Sequence, residues 1–230
     1  MRNICFASLL ALVGLPMFGQ AWDIRAEVPF PKGQSLPKTL LSGTSQAISG
    51  DLDTGNGGIL SVSHRLLRVG PVLRLEWGGE LTTLESKGRI NLQKTGNSET
   101  LGTKLKQMGF GIGVNAQLWV PFLGVSGEIG AIQRFQQYRY STDGATSGED
   151  LSTAKSSANL SKTWLRVGGR LRVPLFRVAH PYIAASYQQP ITKEHPVRID
   201  SVADLADYFK AQGTGQEFDR MWTFGVGITF

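Results

Sequence analysis

Trp222-Thr223-Phe224-Gly225-Val226-Gly227-Ile228-Thr229-Phe230 is the stretch on which the reading of this chain turns. Its large apolar residues, Trp222, Phe224, Val226, Ile228 and Phe230, fall on every second position. The positions between them hold Thr223, Gly225, Gly227 and Thr229, all small or polar. Side chains alternate between the two faces of a strand, so this segment is a β-strand with one greasy face and one narrow polar face. Such a strand suits the edge of an ordinary domain or the wall of a barrel. The rest of the sequence has to decide between them.

Composition sets the first limits. Of 230 residues only 18 % are charged and 28 are glycine. After the first twenty or so residues nothing approaches the ~18 uninterrupted apolar residues of a spanning helix. That excludes helical spanning but not a barrel, whose alternating strands average to mild hydropathy. Met1-Arg2-Asn3, an apolar run from Ile4 to Val13 and the small-x-small site Gly19-Gln20-Ala21 read as a secretory signal peptide over residues 1–21, leaving 22–230 as the mature domain. Cys5, the single cysteine, lies in that leader, so thiol, disulfide and cysteine-metal chemistry are not expected. Without Arg2 the chain carries 23 basic and 18 acidic residues, a balance of +5. Scattered charges behind an export signal argue against nucleic acid as the partner. Basic loops would instead be solvated or meet anionic lipopolysaccharide.

Read forward from Trp22, the alternation returns again and again. Trp22–Phe30 places Trp22, Ile24, Ala26, Val28 and Phe30 on one face. Further strands are expected at about 59–69 (with poorer alternation near Leu66-Leu67), 72–84, 105–120, 125–135, 163–173, 182–189 and 222–230. The register of the 182–189 strand is the least defined. Between them, segments rich in Gly, Ser, Thr and Asp at 31–58, 85–104, 136–162 and 190–218 read as long loops, and short links with Pro or Gly at 70–71, 121–124 and 174–181 as tight turns. Eight strands joined by alternating long and short connections make an all-β, antiparallel up-and-down barrel with both ends on the short-turn side.

In this the mature chain resembles the OmpA/OmpX-type group of small eight-stranded bacterial outer-membrane β-barrels. The resemblance implies short periplasmic turns, four long extracellular loops and an integral outer-membrane location. It also implies that Trp222, Phe224, Val226, Ile228 and Phe230 form a C-terminal signal read by the barrel-assembly machinery. Alternation alone would also fit a soluble barrel with its apolar face turned inward around a ligand. Against that, the polar face carries charges of both signs, Arg25, Glu27, Arg74, Glu76, Glu80, Glu128, Arg134, Arg166 and Arg170, which are tolerable inside a barrel if they pair. Gly109, Gly111 and Gly113 on the same face would leave room for those side chains. Trp22, Trp77, Trp222, Phe30, Phe135 and Phe230 lie near strand ends on the apolar face, as an interfacial girdle requires. Eight strands leave a lumen that side chains can fill, so a wide pore is not expected.

Chemistry was sought among the three histidines of the mature chain. Ser63 and His64 are adjacent in a strand and must face opposite sides, so they cannot form a nucleophile–base pair. His180 sits beside a turn proline, and His195, with Asp200 and Ser201 nearby, lies in the last loop. No His or acidic spacing matches a metal site, and Gly109-Phe110-Gly111-Ile112-Gly113 sits within a strand rather than opening a helix. No cofactor is expected. In the last loop Ser201-Val202-Ala203-Asp204 resembles a capping box, and Val202, Leu205 and Phe209 follow at helical spacing, which predicts a short amphipathic helix. The expectation is a monomeric, non-catalytic barrel with a structural or surface-interaction role. A lipid A-modifying barrel enzyme and a narrow solute channel are the alternatives.

Overall fold

The computed structural model describes residues 22–31, 34–40, 47–53, 55–70, 72–94, 97–120, 123–143, 155–173, 179–191 and 220–230. The described residues form ten strands: β1 (Trp22–Pro31), β2 (Gln34–Leu40), β3 (Ala47–Leu52), β4 (Asn56–Val69), β5 (Leu73–Lys94), β6 (Asn97–Val120), β7 (Val125–Asp143), β8 (Lys155–Arg172), β9 (His180–Pro190) and β10 (Met221–Thr229). Eight of them close a ring in the order β5-β4-β1-β10-β9-β8-β7-β6, and β6 pairs back onto β5. Every neighbouring pair is antiparallel. The closing stretch lies against β1 over nine partners, from Asp23↔Thr229 to Pro31↔Met221.

The register fixes the shape. Partners followed round the ring run from Trp22 to His64, Trp77, Val114, Ala131, Leu165 and Gln189. Carried one residue past the last pair of β9 with β10, the walk returns to β1 at position 32 instead of 22, a stagger of ten residues. A stagger of that size tilts the strands by roughly 35–45° and leaves a narrow interior.

The apolar face points outward. Val28, Phe30, Leu81, Phe110, Ile112, Ile129, Phe224 and Val226 are each about half exposed. Aromatic rings border this belt on both sides. Phe30 packs edge-on to Phe224, Phe110 stacks on Phe135, and Tyr187 lies against Trp222 on the far side from the turns. Trp22 meets His64 near the turns. Trp22 and Phe30 are eight residues apart, about 26 Å along the strand, or roughly 20 Å of height at that tilt, most of the ~25 Å of a membrane-facing apolar band.

Two short turns depend on a backbone conformation that side chains disfavour. Gly70 and Gly124 have φ of 58° and 67°, in the left-handed region open to glycine. The weak alternation at Leu66-Leu67 has a local cause: the β4–β5 register shifts between Arg65 and Leu67, and the bulge leaves both leucines outside.

The long connections need correction. Residues 85–94 and 97–104, expected as a loop, continue β5 and β6 as paired strands up to Lys94↔Asn97. The 136–162 segment likewise extends β7 to Asp143 and begins β8 at Lys155. Within 31–58, β2 and β3 form a hairpin, and β3 pairs with β5 from Ala47↔Gln93 to Leu52↔Gly88. Thus β4 occupies the lower edge of β5 and β3 the upper edge. Backbone partners supplied by a neighbouring strand outweigh the turn-like composition of these segments. Leader residues 1–21 and the expected helix at Val202, Leu205 and Phe209 lie outside the described residues, as does His195.

Candidate functional site: the charged interior

Alternation delivers every second residue of the ring to one narrow space. Arg25, Glu27, Arg74, Glu76, Glu80, Glu128, Arg134, Arg166 and Arg170 all lie there, none more than 8 % exposed. Asp23, which the sequence reading left out of this group, lies with them.

Glu128 on β7 is the hub of one half. It accepts from Arg25 Nη1 at 2.6 Å and from Arg170 Nε at 2.6 Å, with Asn115 Nδ2 at 3.3 Å. Arg170 then reaches Asp23 at 2.9 Å and lies 3.6 Å from Glu76. Asp23 also accepts from Tyr182 Oη at 2.6 Å and Thr229 Oγ1 at 2.9 Å. In the other half Glu80 accepts from Arg134 Nε, and from Arg166 Nη2 at 2.9 Å. Glu27 accepts from Thr223 Oγ1 at 2.7 Å, from Ser186 Oγ at 3.4 Å and from Arg166 at 3.4 Å. Five carboxylates and four guanidiniums therefore interlock across strands β1, β5, β7 and β8, with hydroxyls of β9 and β10 filling the remaining lone pairs. Burying a charge is costly, and the charge-assisted bonds and ion pairs that join these groups are what offset that cost here.

Arg74 stands apart. It is buried, but its guanidinium lies over the Trp119 ring, 4.8 Å from the centroid, at the short-turn end of the lumen.

The glycines have a measurable role. A Cβ on Gly111 would come within 2.9–3.2 Å of Ile132, Glu80 and Arg134. On Gly227 it would lie 2.3 Å from the Tyr182 ring, so the closing strand thins there to let that ring lie across it. Among these groups a pocket of about 40 Å³ lies beside Asp23, Arg25, Glu76, Arg166 and Arg170, room for about three waters.

On the side away from the turns the interior changes character. Ile59, Ile132, Trp164 and Met221 are buried together, and Arg134 lies over the Trp164 ring at 4.4 Å. The sequence reading missed this apolar plug. Its signal was present in Ile132 and Trp164, large apolar residues in phase with the polar face.

The remaining candidates separate cleanly. Ser63 faces inward and donates to Glu76 at 3.3 Å, whereas His64 faces outward onto Trp22. Trp222, Phe224, Val226 and Phe230 are exposed on the outer face. Among the described residues no group of three or more His, Cys, Asp or Glu could hold a metal ion.

No protein-family model matches the sequence, and no curated protein sequence matches it. Among solved structures the chain is similar to Neisserial surface protein A, at 12 % identity over 92 % of this chain and 96 % of that one, with a TM-score of 0.43. It is similar to the N-terminal β-barrel domain of OprF from Pseudomonas aeruginosa, at 12 % identity over 91 % and 97 %, TM-score 0.35. It is also similar to the outer-membrane protease OmpT from Escherichia coli, at 10 % identity over 92 % and 93 %, TM-score 0.42. These are similarities of overall fold; the barrel itself is established by the closed ring of eight strands.

Proposed function

We propose that this chain is an integral bacterial outer-membrane barrel that does not conduct or catalyse, and that serves as a rigid membrane support for the strands it raises on the side away from the turns. The observation that carries this reading is the interlocked interior: ion pairs tie strands together across the lumen, and the groups that form them are buried. A hydrated ion could not pass without breaking several buried pairs, each with a strong electrostatic cost. The apolar belt with its aromatic borders supports the membrane location, as does the leader-like sequence of residues 1–21.

β5 and β6 have 22 and 24 residues, whereas crossing a bilayer takes about ten. The excess stands clear of the belt and is the natural contact surface. Its outer side is basic: Lys87, Lys104 and Lys106 surround Glu85, with Lys104 Nζ 2.7 Å from its carboxylate. Arg89 on β5 and Arg139 on the neighbouring β7 are also exposed. This collar suits the phosphates of lipopolysaccharide. The outward row Trp222, Phe224, Val226, Ile228 and Phe230 is the surface we assign to the barrel-assembly machinery, and the ring, complete in one chain, suits a monomer.

The test is fractionation of the host followed by gels of the outer-membrane band, unboiled and boiled, together with planar-bilayer recording of the purified protein. A heat-shifted outer-membrane band with no stable open state is expected. A soluble periplasmic protein, or a reproducible conductance, would overturn the reading. Unchanged lipid A acyl patterns in a deletion strain would be the matching result for a protein that does not catalyse.

A further inference from the structure

The short-turn end of the barrel gathers positive charge that no ion pair among the described residues answers. Arg65, Arg74 and Arg172 occupy lumen-facing positions in the register, and Arg68 stands beside them at the rim. The turns hold them in place: Arg68 Nε donates to the carbonyl of Gly70 at 2.9 Å, and the Arg172 amide donates to the carbonyl of Gly124 at 2.7 Å. Trp119 is their common floor. Its ring lies 4.8 Å from the Arg74 guanidinium and 4.4 Å from that of Arg172, and its Nε1 donates to Gln117 at 3.1 Å, which fixes the ring.

Arg65, Arg172 and Arg68 all bear on Arg74 electrostatically, and the carboxylate that acts on it, Glu76, is already engaged by Gln117, Ser63 and Arg170 deeper in the barrel. The linking segments 70–72, 121–124 and 174–179 contain no Asp or Glu. Arg74 is only 8 % exposed, and its Nε is buried with no acceptor among the described residues; the Nε of Arg65 is in the same condition. Solvated surface arginines would need no explanation. A buried guanidinium held among like charges, with an idle donor, is a cost that an arriving anion would remove.

We infer that this mouth is a binding site for a phosphate-bearing anion, seated against Trp119 between Arg74, Arg172 and Arg65. Guanidiniums approach from β4, β5 and β8, and a tetrahedral phosphate offers acceptor oxygens in several directions, whereas a planar carboxylate satisfies one fork. The source is a free phosphate or the headgroup of an anionic phospholipid. That the mouth faces the periplasm rests on the proposed function; the site itself does not.

The experiment is calorimetric titration of the folded protein in zwitterionic detergent with inorganic phosphate and, separately, with dihexanoyl phosphatidic acid, using dihexanoyl phosphatidylcholine as the blank. Saturable binding is expected, weakened at least about tenfold in Arg74→Gln and in Arg172→Gln and unchanged in Arg220→Gln, an exposed arginine at the opposite end of the barrel. Equal affinity for phosphate and phosphatidic acid identifies a free-anion site; much tighter phosphatidic acid binding identifies a headgroup site. No saturable binding of either probe, or binding that Arg74→Gln leaves intact, overturns the inference. The ligand-free melting temperature supplies a second readout. Arg74→Gln should leave it unchanged or raise it by relieving repulsion, and a clear fall would mean the cluster serves folding instead. A normal heat shift on gels with no anion binding removes this site alone, while a failed heat shift removes the membrane reading and leaves the site standing.

Discussion

Gly111 and Ile112 are neighbours in β6 and answer to different surroundings. Ile112 is 54 % exposed on the outer belt, where any apolar group of similar size meets the same requirement. Gly111 lies against Glu80, Arg134 and Ile132, and a single added carbon would come 2.9 Å from Ile132 and press on the other two at 3.0 and 3.2 Å. The same contrast repeats on every strand of the ring. The outer face is specified by composition, since lipid asks only for apolar surface. The inner face is specified by position, since each charge needs a particular partner on a particular strand at hydrogen-bonding distance. One strand thus carries a loose code and a strict code on alternate residues.

The sharpest way to break this comparison is to remove one partner from the inner face. Glu128→Ala leaves Arg25 and Arg170 facing each other without their shared acceptor, and should destabilise the barrel by about 3–5 kcal/mol, read as a fall in the urea midpoint for unfolding in lipid vesicles. A loss no greater than that of an outer apolar truncation would sink the idea that the network holds the walls together. Next comes a charge on the outer face: Ile112→Arg sits near the middle of the belt and should cost about 2–4 kcal/mol in the same assay. Gly111→Val tests the packing of the inner face without altering its charge. Overpacking there should cost about 1–3 kcal/mol, and the double variant with Ile132→Ala, which removes the closest contact, should cost less than the two single changes summed.

Smaller effects test the looser code. Ile129→Leu changes shape but not character on the outer face and should cost less than about 1.5 kcal/mol; a larger loss would mean that this face too demands particular shapes. The smallest effect lies above the belt. A hydrogen bond from Lys104, assisted by the charges of Lys106 and Lys87, lowers the Glu85 carboxyl below its ordinary range. Its folded pKa is depressed, so its small contribution is present above the ordinary carboxylate pKa and disappears as pH falls through the depressed value. An NMR titration should show Glu85 ionising below its usual range and returning toward it in Lys104→Ala.

What could be read in the sequence follows from the same contrast. The membrane writes alternation into a strand only along the part it touches, so the ring strands were legible from about Leu73 to Leu84 in β5 and from Leu105 to Val120 in β6. Beyond the belt Lys87, Arg89, Asn91 and Thr100 are exposed on the extended hairpin. Residues 85–94 and 97–104 therefore lose the period of two and resemble loop, although their backbones remain paired. The inner charges were legible as charges in phase with glycine, but which carboxylate meets which arginine depends on the stagger of the ring. That stagger is a sum over eight pairings, and no local pattern states it. Asp23 was overlooked for this reason: its partners Arg170, Tyr182 and Thr229 come from β8, β9 and β10. The apolar plug was missed because a two-sided reading gives each face one character along its whole length, while Ile59, Trp164 and Met221 show the inner face changing from charged to greasy.

The carboxylates of β1 carry a further consequence, in the order of events during biogenesis. Thr223 and Thr229 donate to Glu27 and Asp23 across 196 and 206 positions of sequence. The charges of these acids are met by Arg166 and Arg170 of β8, but part of their hydrogen bonding waits for the last strand. A chain cut short before β10 would hold the same carboxylates with fewer donors, and an under-bonded buried carboxylate is costly. Sealing the ring and completing the bonding of its first strand are therefore one event.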